Sequence, residues 1–373
     1  MEITGPTAFP LFDAYPRLRE SLARVVLARL PTPVRRMENI EGALNCGARI
    51  YVKRDDLTAE LYGGNKVRKL EFLLGKALRD KRTTVITFGA AGSNHALATA
   101  IYAKQLGLRS ISMLVPQPNA RYVRRNLLMS HRAGAELHHC EGEPGVVASA
   151  LYKLARRAAQ DGQLPQVIKP GGTSPLGITG YVNAAFELRR QIEAGDLPEP
   201  DVAYVASGTM GTAVGLLLGL KTAGLKTRLA AVRVTDPSFT SAATAHRLFG
   251  KTSAFLHKAD PAFPATAFPE DAFVLREEFY GKEYALYTEE GMRAVKLAKE
   301  TEGIALEGTY TGKTFAALLA DAASGALRDK TVLFWNTYNS RDFTDEVKDM
   351  DYHVLPKSLH RYFEEDVQPL ERL

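Results

Sequence analysis

Short β-branched segments alternate with longer helical patterns along most of this chain. In three complete pairs an apolar strand-like run directly precedes a helical run: TTVITFG with SNHALATAIYAKQLG, RSISMLVP with NARYVRRNLLMSHRAG, and DVAYVASG with GTAVGLLLGLKTAG. Two more strand-like runs, RLAAVRV and KTVLFWN, follow. Strands that alternate with helices in this way form βαβ units, in which helices cover both faces of a parallel sheet. The sequence therefore predicts an α/β fold with parallel sheets, and periodicity alone leaves open whether there is one sheet or two.

The length of the chain, 373 residues, exceeds what one small core accommodates and predicts about two domains. Residues 192–201 (IEAGDLPEPD) combine glycine, two prolines and acidic side chains between a helical pattern and a strand. This composition is typical both of a domain junction and of an ordinary loop between a helix and a strand. The sequence alone leaves both interpretations open.

Composition narrows the class of protein. The formal net charge of +6 is small for this length, and the basic residues are scattered, so it does not indicate a nucleic-acid partner. No apolar run reaches the roughly 20 residues of a membrane span, and the N-terminal residues lack the pattern of a signal peptide. Cys46 and Cys140 have no CxxC partner, so we interpret them as reduced structural thiols. We therefore expect a cytoplasmic protein without a metal site.

The segment ELYGGNKVRKLEF, residues 60–72, places two glycines ahead of a basic amphipathic helix. Gly63 and Gly64 permit a sharp bend immediately before Asn65 and Lys66. Spacing alone favours Lys66 as a solvated lysine in the first turn, yet a cation at a helix N-terminus opposes the helix dipole. The apolar positions predict one face toward a core and an outward face that carries Arg68, Lys69 and Lys76.

A glycine-containing turn separates strand and helix in VASGTMGTAVGLLLGL, residues 205–220. Small residues let backbone N–H groups converge at the start of a helix, where the helix dipole attracts anions, so the turn is a candidate phosphate site. It lacks the Gly-Lys-Ser/Thr ending of a nucleotide P-loop and the full GxGxxG pattern. A tight connection without a ligand is the alternative interpretation.

A second strand ends in small residues in TFGAAGSNHALATA, residues 87–100. Ser93 or Asn94 could be the N-cap of the following helix, since either side chain can accept a free N–H bond. The alternative is that the same N–H groups and the Ser93 hydroxyl bind a substrate carboxylate. His95 is more often a packed or capping histidine than a substrate contact.

Six stretches, taken in order, resemble the D-cysteine desulfhydrase and 1-aminocyclopropane-1-carboxylate deaminase family of pyridoxal-phosphate enzymes. The resemblance extends from about residue 51 to about residue 343 and rests on YGGNKVRKLEFLL, GSNHALATAIYAKQLGL, VIKPGGTSPLGITGYVNAAFEL, VASGTMGTAVGL, TEEGMRAVKLAKETEGI and TYTGKTFAAL. It implies pyridoxal 5′-phosphate as cofactor, a homodimer, and fold type II, in which two domains each contain a mostly parallel sheet flanked by helices. By this resemblance residues 1–71 and 182–373 form the larger domain, and residues 72–181 form a smaller mobile one.

The resemblance also assigns roles to individual residues. Lys66 matches the lysine that bonds covalently to the cofactor and acts as the base, which requires a buried, partly neutral amine. Ser93 matches a hydroxyl beside the substrate carboxylate, and Asn94 matches the residue that hydrogen-bonds the 3′-oxygen of the cofactor ring. The predicted cup for the cofactor phosphate consists of Gly208, Thr209, Met210, Gly211 and Thr212.

Two tyrosines match positions near the reacting carbons of the substrate. Tyr284 and Tyr310 are predicted active-site residues, and an amphipathic core role is the alternative for each. Thr311 stands where the deaminase branch has a glutamate. A threonine cannot hold the pyridine nitrogen protonated as a carboxylate can, so the resemblance favours β-elimination or replacement over ring opening.

The chain departs from the family pattern in several places. Gly92 stands where the family commonly has a glutamine before the Ser-Asn pair. In FWNTYNSRDF, Asn336, Tyr338 and Asn339 replace a histidine and two glycines, while Thr337 is kept and could meet the pyridine nitrogen. The added side chains are expected to reshape the pocket, which argues against D-cysteine itself as the substrate.

Taken together, these features predict a pyridoxal-phosphate-dependent lyase that acts on a small amino acid. Removal of the α-proton and loss of the β-substituent would release a 2-oxo acid and ammonia, with Tyr284 or Tyr310 as general acid. A β-replacement synthase or a racemase would share every cofactor contact and remains an alternative. A third interpretation, prompted by the altered NTYNS segment, is a catalytically silent protein that only binds the cofactor.

Overall fold

Two separate sheets lie in this chain, as a computed structural model that describes residues 9–140 and 142–371 shows. Residue contacts divide the chain into two units. Unit 1 comprises the described residues up to Phe72 and Thr173–Ser340, and unit 2 comprises Leu73–Gly172 and the described residues from Arg341 onward. Each unit contains one sheet, so the prediction of two mostly parallel sheets flanked by helices is confirmed.

All but one of the strand pairings found in the described residues are parallel. The sheet of unit 1 has the order β1-β2-β10-β7-β8-β9, with β1 antiparallel to β2, and the sheet of unit 2 has the order β5-β4-β3-β6. The strands are β1 (Val34–Arg36), β2 (Arg49–Lys53), β3 (Thr84–Ala90), β4 (Arg109–Val115), β5 (Glu136–His139), β6 (Gln166–Ile168), β7 (Val202–Ser207), β8 (Arg228–Arg233), β9 (Phe273–Arg276) and β10 (Thr331–Trp335).

Helices connect most of the strands, as the alternation in the sequence predicts. They are α1 (Pro10–Ala14), α2 (Arg17–Ser21), α3 (Glu38–Leu44), α4 (Lys66–Arg79), α5 (Asn94–Gln105), α6 (Arg121–Arg132), α7 (Gly142–Asp161), α8 (Pro175–Glu193), α9 (Gly211–Thr222), α10 (Ala242–Ala259), α11 (Glu289–Glu302), α12 (Thr311–Ala323), α13 (Thr344–Val347) and α14 (Arg361–Glu364). Short 3-10 helices lie at Asp55–Leu57, Pro170–Gly172, Glu270–Ala272, Tyr352–Val354, Lys357–Leu359 and Pro369–Glu371. None of the described helices has the length and the apolar character that crossing a membrane requires.

Strand β10 lies in the interior of the unit 1 sheet and is buried on both faces. Leu333 and Trp335 pack into the apolar cluster that includes α8 and α9, whereas Val332 and Phe334 pack into the cluster that includes α12. This alternation follows from the two-residue period of a strand, and an interior parallel strand has no face left for water. The continuous run TVLFW is the sequence signature of that environment.

Helices α8 and α9 of unit 1 approach each other at backbone distance. A Cβ atom at Gly215 would lie 2.5 Å from Cβ of Tyr181, and one at Gly219 would lie 2.6 Å from the carbonyl oxygen of Val182. Any larger side chain at either glycine would push the helices apart. The two glycines therefore set the position of α9, whose N-terminus carries the predicted phosphate cup.

Unit 2 has a smaller apolar core between its sheet and α7. Ile86, Ile111, Met113 and Ala150 form its buried centre. Strands β3 and β4 pair over their whole lengths, and the segment after the carboxyl end of β3 leads directly into α5. Ligands of open parallel sheets bind at the carboxyl ends of the strands, so this segment is a suitable place for binding residues.

The two units defined by residue contacts differ in extent from the two domains predicted from the sequence. The predicted smaller domain, residues 72–181, shares residues 73–172 with unit 2, and its boundary at 181–182 falls inside α8. Residues 192–201 connect α8 to β7 within unit 1, and the described residues from Arg341 onward group with unit 2. The domain boundaries inferred from the family remain a prediction.

Candidate active site

Lys66 is the first residue of α4, and a tight bend precedes it. Gly64 has a φ angle of +88°, which side chains rarely adopt. A Cβ atom at Gly64 would lie 2.8 Å from the carbonyl oxygen of Tyr338 and 2.9 Å from that of Thr337. Only glycine permits this approach, so the bend is packed directly against the segment that follows β10.

The NTYNS segment supports the bend by hydrogen bonds. The Gly63 N–H donates to Oδ1 of Asn339 at 2.7 Å, and the Asn65 N–H donates to the carbonyl of Thr337 at 3.1 Å. Asn339 is buried, and by the resemblance it stands where the family has a glycine. The added Asn339 side chain therefore does more than occupy space, since it pairs a backbone N–H of the bend that holds Lys66.

Lys66 is partly buried, and its electrostatic environment suits a nucleophile. Burial lowers the pKa of Lys66 to about 8, and the charge of Glu307 opposes this effect. An amine with that pKa is partly neutral at physiological pH, whereas a surface lysine is almost wholly charged. The lowered pKa therefore argues against the interpretation of Lys66 as an ordinary solvated lysine.

The prediction that Arg68 and Lys69 face outward is wrong. Each side chain is only 1% exposed, whereas Lys76 is partly exposed and pairs with Asp80. Val67, Arg68 and Lys69 in the first turn of α4 are buried because the glycine bend leads the chain into the interior of unit 1. Amphipathic spacing cannot reveal this, since buried cations are tolerated when acids distant in the sequence pair with them.

Four charged side chains form a buried ion cluster in unit 1: Lys53, Asp55, Arg68 and Glu187. Arg68 donates to Oδ1 of Asp55 at 2.7 Å and to Oε2 of Glu187 at 2.9 Å, and Lys53 donates to Oε1 of Glu187 at 2.6 Å. Burial alone would raise the pKa of Glu187, but the charges of Arg68 and Lys53 outweigh it and hold that pKa far below its usual value. Two acids thus balance two bases inside the protein.

The turn between β7 and α9 forms a cradle lined by hydroxyl groups. Thr173 and Thr209 share a hydrogen bond of 2.6 Å, and Nδ2 of Asn65 donates to the Thr212 hydroxyl at 3.1 Å. A Cβ atom at Gly211 would lie 2.7 Å from Oγ1 of Thr173. A larger residue would fill the cradle, so glycine keeps the helix N-terminus open to a ligand.

Lys69 lies at the same cradle, although the sequence interpretation did not include it. The Cβ position of Gly211 is 3.0 Å from Nζ of Lys69. Burial lowers the pKa of Lys69 well below its usual value, and the charge of Lys66 lowers it further. A lysine and a helix N-terminus both attract anions, so these residues fit a phosphate group. The sequence does contain a signal that could have placed Lys69 at the site. Lys69 follows Lys66 by three residues, so both lie on one face of α4.

Met210 is the N-cap of α9 and has a left-handed backbone, with a φ angle of 62°. This conformation costs an ordinary residue about 1–2 kcal/mol. The Ser207 hydroxyl donates to the Met210 sulfur at 2.9 Å. The Met210 side chain is thus held against the end of β7, and the Met210 backbone contributes to the shape of the turn.

Tyr284 and Tyr310 form a pair, as their hydroxyl groups are hydrogen-bonded to each other. Burial raises the pKa of Tyr284 to about 12. A Cβ atom at Gly208 would lie 3.7 Å from Cε1 of Tyr310, so the pair borders the cup. Lys313 donates to the carbonyl of Tyr280 at 2.6 Å and thereby ties the Tyr284 segment to α12.

Glu307 is a buried carboxylate at the start of α12 that the sequence interpretation also missed. It accepts hydrogen bonds from the backbone N–H groups of Thr309, Tyr310 and Thr311 at 2.8 Å each. The Thr311 hydroxyl also bonds to Glu307. It accepts a hydrogen bond from the Glu307 N–H at 3.0 Å and donates one to the Glu307 carboxylate at 3.2 Å. Burial raises the pKa of Glu307. Glu307 thus orders the turn that positions Tyr310.

In unit 2 the Ser93 side chain caps α5. Its Oγ accepts the Ala96 N–H at 3.2 Å, which confirms the capping interpretation for Ser93. Asn94 begins the helix, and its Oδ1 accepts a hydrogen bond from Asn126 at 3.0 Å. His95 is buried. Capping uses one lone pair of the Ser93 hydroxyl and leaves its proton available, so a ligand role is compatible with it.

The predicted residues divide between the two units. Within unit 1 the contacts described above group most of the predicted cofactor residues around Lys66 and the cup. Unit 1 contains Lys66, Gly208, Thr209, Met210, Gly211, Thr212, Tyr284, Tyr310, Thr311 and Thr337, and unit 2 contains Ser93, Asn94 and His95. Among the described residues no group of three or more His, Cys, Asp or Glu side chains could hold a metal ion.

Comparison with known proteins yields matches that cover most of the chain. The family model described as pyridoxal-phosphate dependent enzyme matches residues 25–337. A D-cysteine desulfhydrase from Serratia proteamaculans (strain 568) is 33% identical over 330 residues, which cover 86% of this chain and 96% of the relative. The crystal structure of an ACC deaminase homologue has a TM-score of 0.74 and 31% identity, covering 92% of this chain and 98% of the other. Maize serine racemase, with a TM-score of 0.57 and 17% identity over 93% of this chain and 98% of the other, shares the fold.

Proposed function

Because the chain belongs to the pyridoxal-phosphate-dependent enzyme family, we propose that it is a lyase that eliminates the β-substituent of a small amino acid. The products are a 2-oxo acid and ammonia. The observation that carries this proposal is Lys66, partly buried and with a pKa of about 8, on the same helix turn as Lys69, which borders a cradle suited to phosphate. A lysine of this kind has little use in a merely structural site.

The residues of the site fit pyridoxal phosphate. Lys66 would bond to the cofactor, Lys69 and the Gly208–Thr212 turn would hold its phosphate, and Asn94 would meet the ring oxygen. Thr337 is the better candidate for the pyridine nitrogen, because Thr311 already hydrogen-bonds Glu307. When bound, the cofactor withdraws electrons from the substrate carbon that bears the amino group and so makes its proton acidic.

Lys66 is the proposed base for the α-proton. Its lowered pKa provides a neutral Nζ lone pair near neutral pH, and the nearby charge of Glu307 prevents the pKa from falling further. The buried ion cluster holds Arg68, two residues along the same helix, through Asp55 and Glu187. Nζ of Lys66 therefore projects from a helix turn that has little freedom to move.

Tyr284 and Tyr310 are the proposed proton donors to the departing group. A pKa of about 12 keeps the proton on Tyr284 across the physiological range. The hydroxyl pair allows one tyrosine to replace a donated proton from the other. Lys313 ties the segment that precedes Tyr284 to α12 by its bond to the carbonyl of Tyr280.

The proposed substrate class rests on the names of the relatives and on three residues. The names of the relatives, a desulfhydrase and a deaminase homologue, support a lyase over a synthase or a racemase. Ser93 is the proposed partner of the substrate carboxylate, and His95 lies beside it on α5. Thr311, which is neutral, favours elimination over opening of a strained ring.

We also propose that the enzyme works as a homodimer in the cytoplasm, as the family resemblance implies.

A spectral screen tests the proposal. The purified protein with pyridoxal phosphate is expected to absorb near the band of a lysine-bound cofactor, and the matched variant Lys66→Ala is expected to lack that band. D- and L-amino acids with a β-leaving group are then tested for shifts of the band and for release of 2-oxo acid and ammonia. Shifts without products, or inversion at the α-carbon alone, would contradict the lyase assignment.

The controls separate the remaining alternatives. A protein that shows the band but responds to no amino acid is a silent cofactor-binding protein. Product formation that requires a second nucleophilic substrate indicates a β-replacement synthase. Light scattering of the protein as it elutes from a size-exclusion column measures its molar mass and so its oligomeric state. A molar mass of one chain would refute the homodimer.

A further inference from the structure

Asn126 of α6 donates two hydrogen bonds to the segment that begins α5. Its Nδ2 lies 2.9 Å from the carbonyl oxygen of Gly92 and 3.0 Å from Oδ1 of Asn94. The side chain is 2% exposed. Its own Oδ1 has no hydrogen-bond partner among the described residues, an arrangement that costs stability. All three residues belong to unit 2.

The carbonyl of Gly92 determines how both amide groups are oriented. A carbonyl oxygen can only accept, so the NH₂ end of the Asn126 amide must face Gly92. The second N–H of the same NH₂ group then requires an acceptor at Asn94, which is Oδ1. The NH₂ group of Asn94 consequently lies on the opposite edge of its amide. The orientation of Asn94 is thus set by a backbone group two residues before it.

The Gly92 peptide is itself held in place. Its N–H donates to Oε1 of Gln117 at 2.8 Å, and Nε2 of Gln117 donates to the Tyr122 hydroxyl at 2.8 Å. A Cβ atom at Gly92 would lie 2.7 Å from Cε2 of Tyr122 and 2.8 Å from Cγ2 of Val123. The glycine that replaces the family glutamine therefore packs tightly, and side chains pair both of its backbone polar groups.

We propose that Asn126 is a positioning residue that fixes the amide of Asn94, so that Asn94 offers an N–H donor to the ring oxygen of pyridoxal phosphate. The inference rests on the proposed function, in which Asn94 contacts that oxygen. The ring oxygen carries negative charge and requires a donor, and a reversed amide would present an oxygen to it. Asn126 thus influences cofactor binding without contacting the cofactor.

The variant Asn126→Asp tests this role. Aspartate keeps the shape of asparagine but has no N–H donors, so it turns the NH₂ of Asn94 toward itself. We expect the Kd of the cofactor-free protein for pyridoxal phosphate, measured by fluorescence, to rise about tenfold or more, as for loss of a hydrogen bond to a charged group. The absorbance band of the bound cofactor is expected to shift as well, which a purely structural defect would not cause.

A double-mutant cycle shows whether Asn126 acts through Asn94. Asn94→Ala is expected to weaken cofactor binding, and adding Asn126→Asp to it is expected to weaken binding no further. Gln117→Glu is the matched control, because it keeps the acceptor for the Gly92 N–H and leaves Asn126 intact. Its Kd is expected to stay within about twofold of wild type, since no donor to Asn94 is lost.

Each result decides the question. Wild-type affinity for Asn126→Asp, or additive effects of the two substitutions, would overturn the inference while the proposed function stands. If Asn126→Asp does not fold, Asn126→Ala removes the donors without adding charge, and the same non-additivity is expected. If the wild-type protein shows no cofactor bound through Lys66, the proposed function fails, and this inference fails with it.

Discussion

Removing the charge of Glu187 tests the importance of the buried ion cluster. Glu187 accepts hydrogen bonds from Lys53 at 2.6 Å, from the Thr32 N–H at 2.9 Å, and from two nitrogens of Arg68 at 2.9 and 3.0 Å. Glu187→Gln leaves two buried cations facing the single carboxylate of Asp55. Breaking a buried pair on one side costs about 3–5 kcal/mol, a large part of the roughly 5–15 kcal/mol that stabilises a typical domain.

Urea unfolding followed by tryptophan fluorescence measures this loss. Trp335 is the one tryptophan of the chain, is 1% exposed, and lies with its ring 6.3 Å from that of Tyr181, which donates to Asp55. It therefore reports on unit 1 next to the cluster. With an m-value of about 3 kcal/mol/M, the midpoint of unfolding is expected to fall by about 1–1.7 M urea.

A matched control lies on the same helix. Glu193 pairs with Arg189 at 2.7 Å, but both side chains are about half exposed, so Glu193→Gln is expected to leave the midpoint nearly unchanged. Adding Lys53→Met to Glu187→Gln restores charge balance and should recover part of the lost stability. A midpoint for Glu187→Gln within about 0.3 M of wild type would refute the argument that the cluster depends on charge balance.

Three further predictions concern the site. The rate at which pyridoxal phosphate bonds to Lys66, trapped with borohydride, should rise with pH up to about 8 and then level off, because the neutral amine reacts; a rise continuing to pH 10 would contradict the lowered pKa. Gly211→Ala should weaken cofactor binding at least tenfold in a fluorescence titration, since its Cβ would lie 2.7 Å from Oγ1 of Thr173. Asn339→Gly should cost about 1–3 kcal/mol in urea unfolding, as the buried Gly63 N–H loses its acceptor, and an unchanged midpoint would refute that contact.

The sequence predicted the elements and the motifs more reliably than the environment of individual charges. Alternating strands and helices identified the fold class, and ordered motifs singled out Lys66 and the predicted phosphate cup. Both signals are local, because the periodicity of strands and helices and the residue preferences of turns depend on a few neighbouring residues. The Ser93 cap was foreseen for the same reason.

Errors arose where distant residues decide the outcome. Arg68 was predicted to face outward because nothing near it in the sequence reveals its ion-pair partner. That partner, Glu187, lies 119 positions away in the chain. The contact of Asn339 with Gly63 spans 276 positions, so a change from glycine to asparagine could be interpreted only as added bulk. Glu307 escaped notice since its carboxylate binds backbone N–H groups, which carry no sequence signal. Tertiary partners of this kind become visible only when the fold is known.

The place of β10 in its sheet has a consequence for synthesis of the protein. Strand β10 pairs with β2 on one side and β7 on the other, yet it is the last of the strands to leave the ribosome. At about 5–20 residues per second, roughly 10–30 s separate the end of β6 from the arrival of β10. During that time the strands of the unit 2 sheet can pair, whereas the apolar edges of β2 and β7 that bind β10 remain unpaired. Nascent chains that stop before Thr331 should therefore depend on chaperones and aggregate without them.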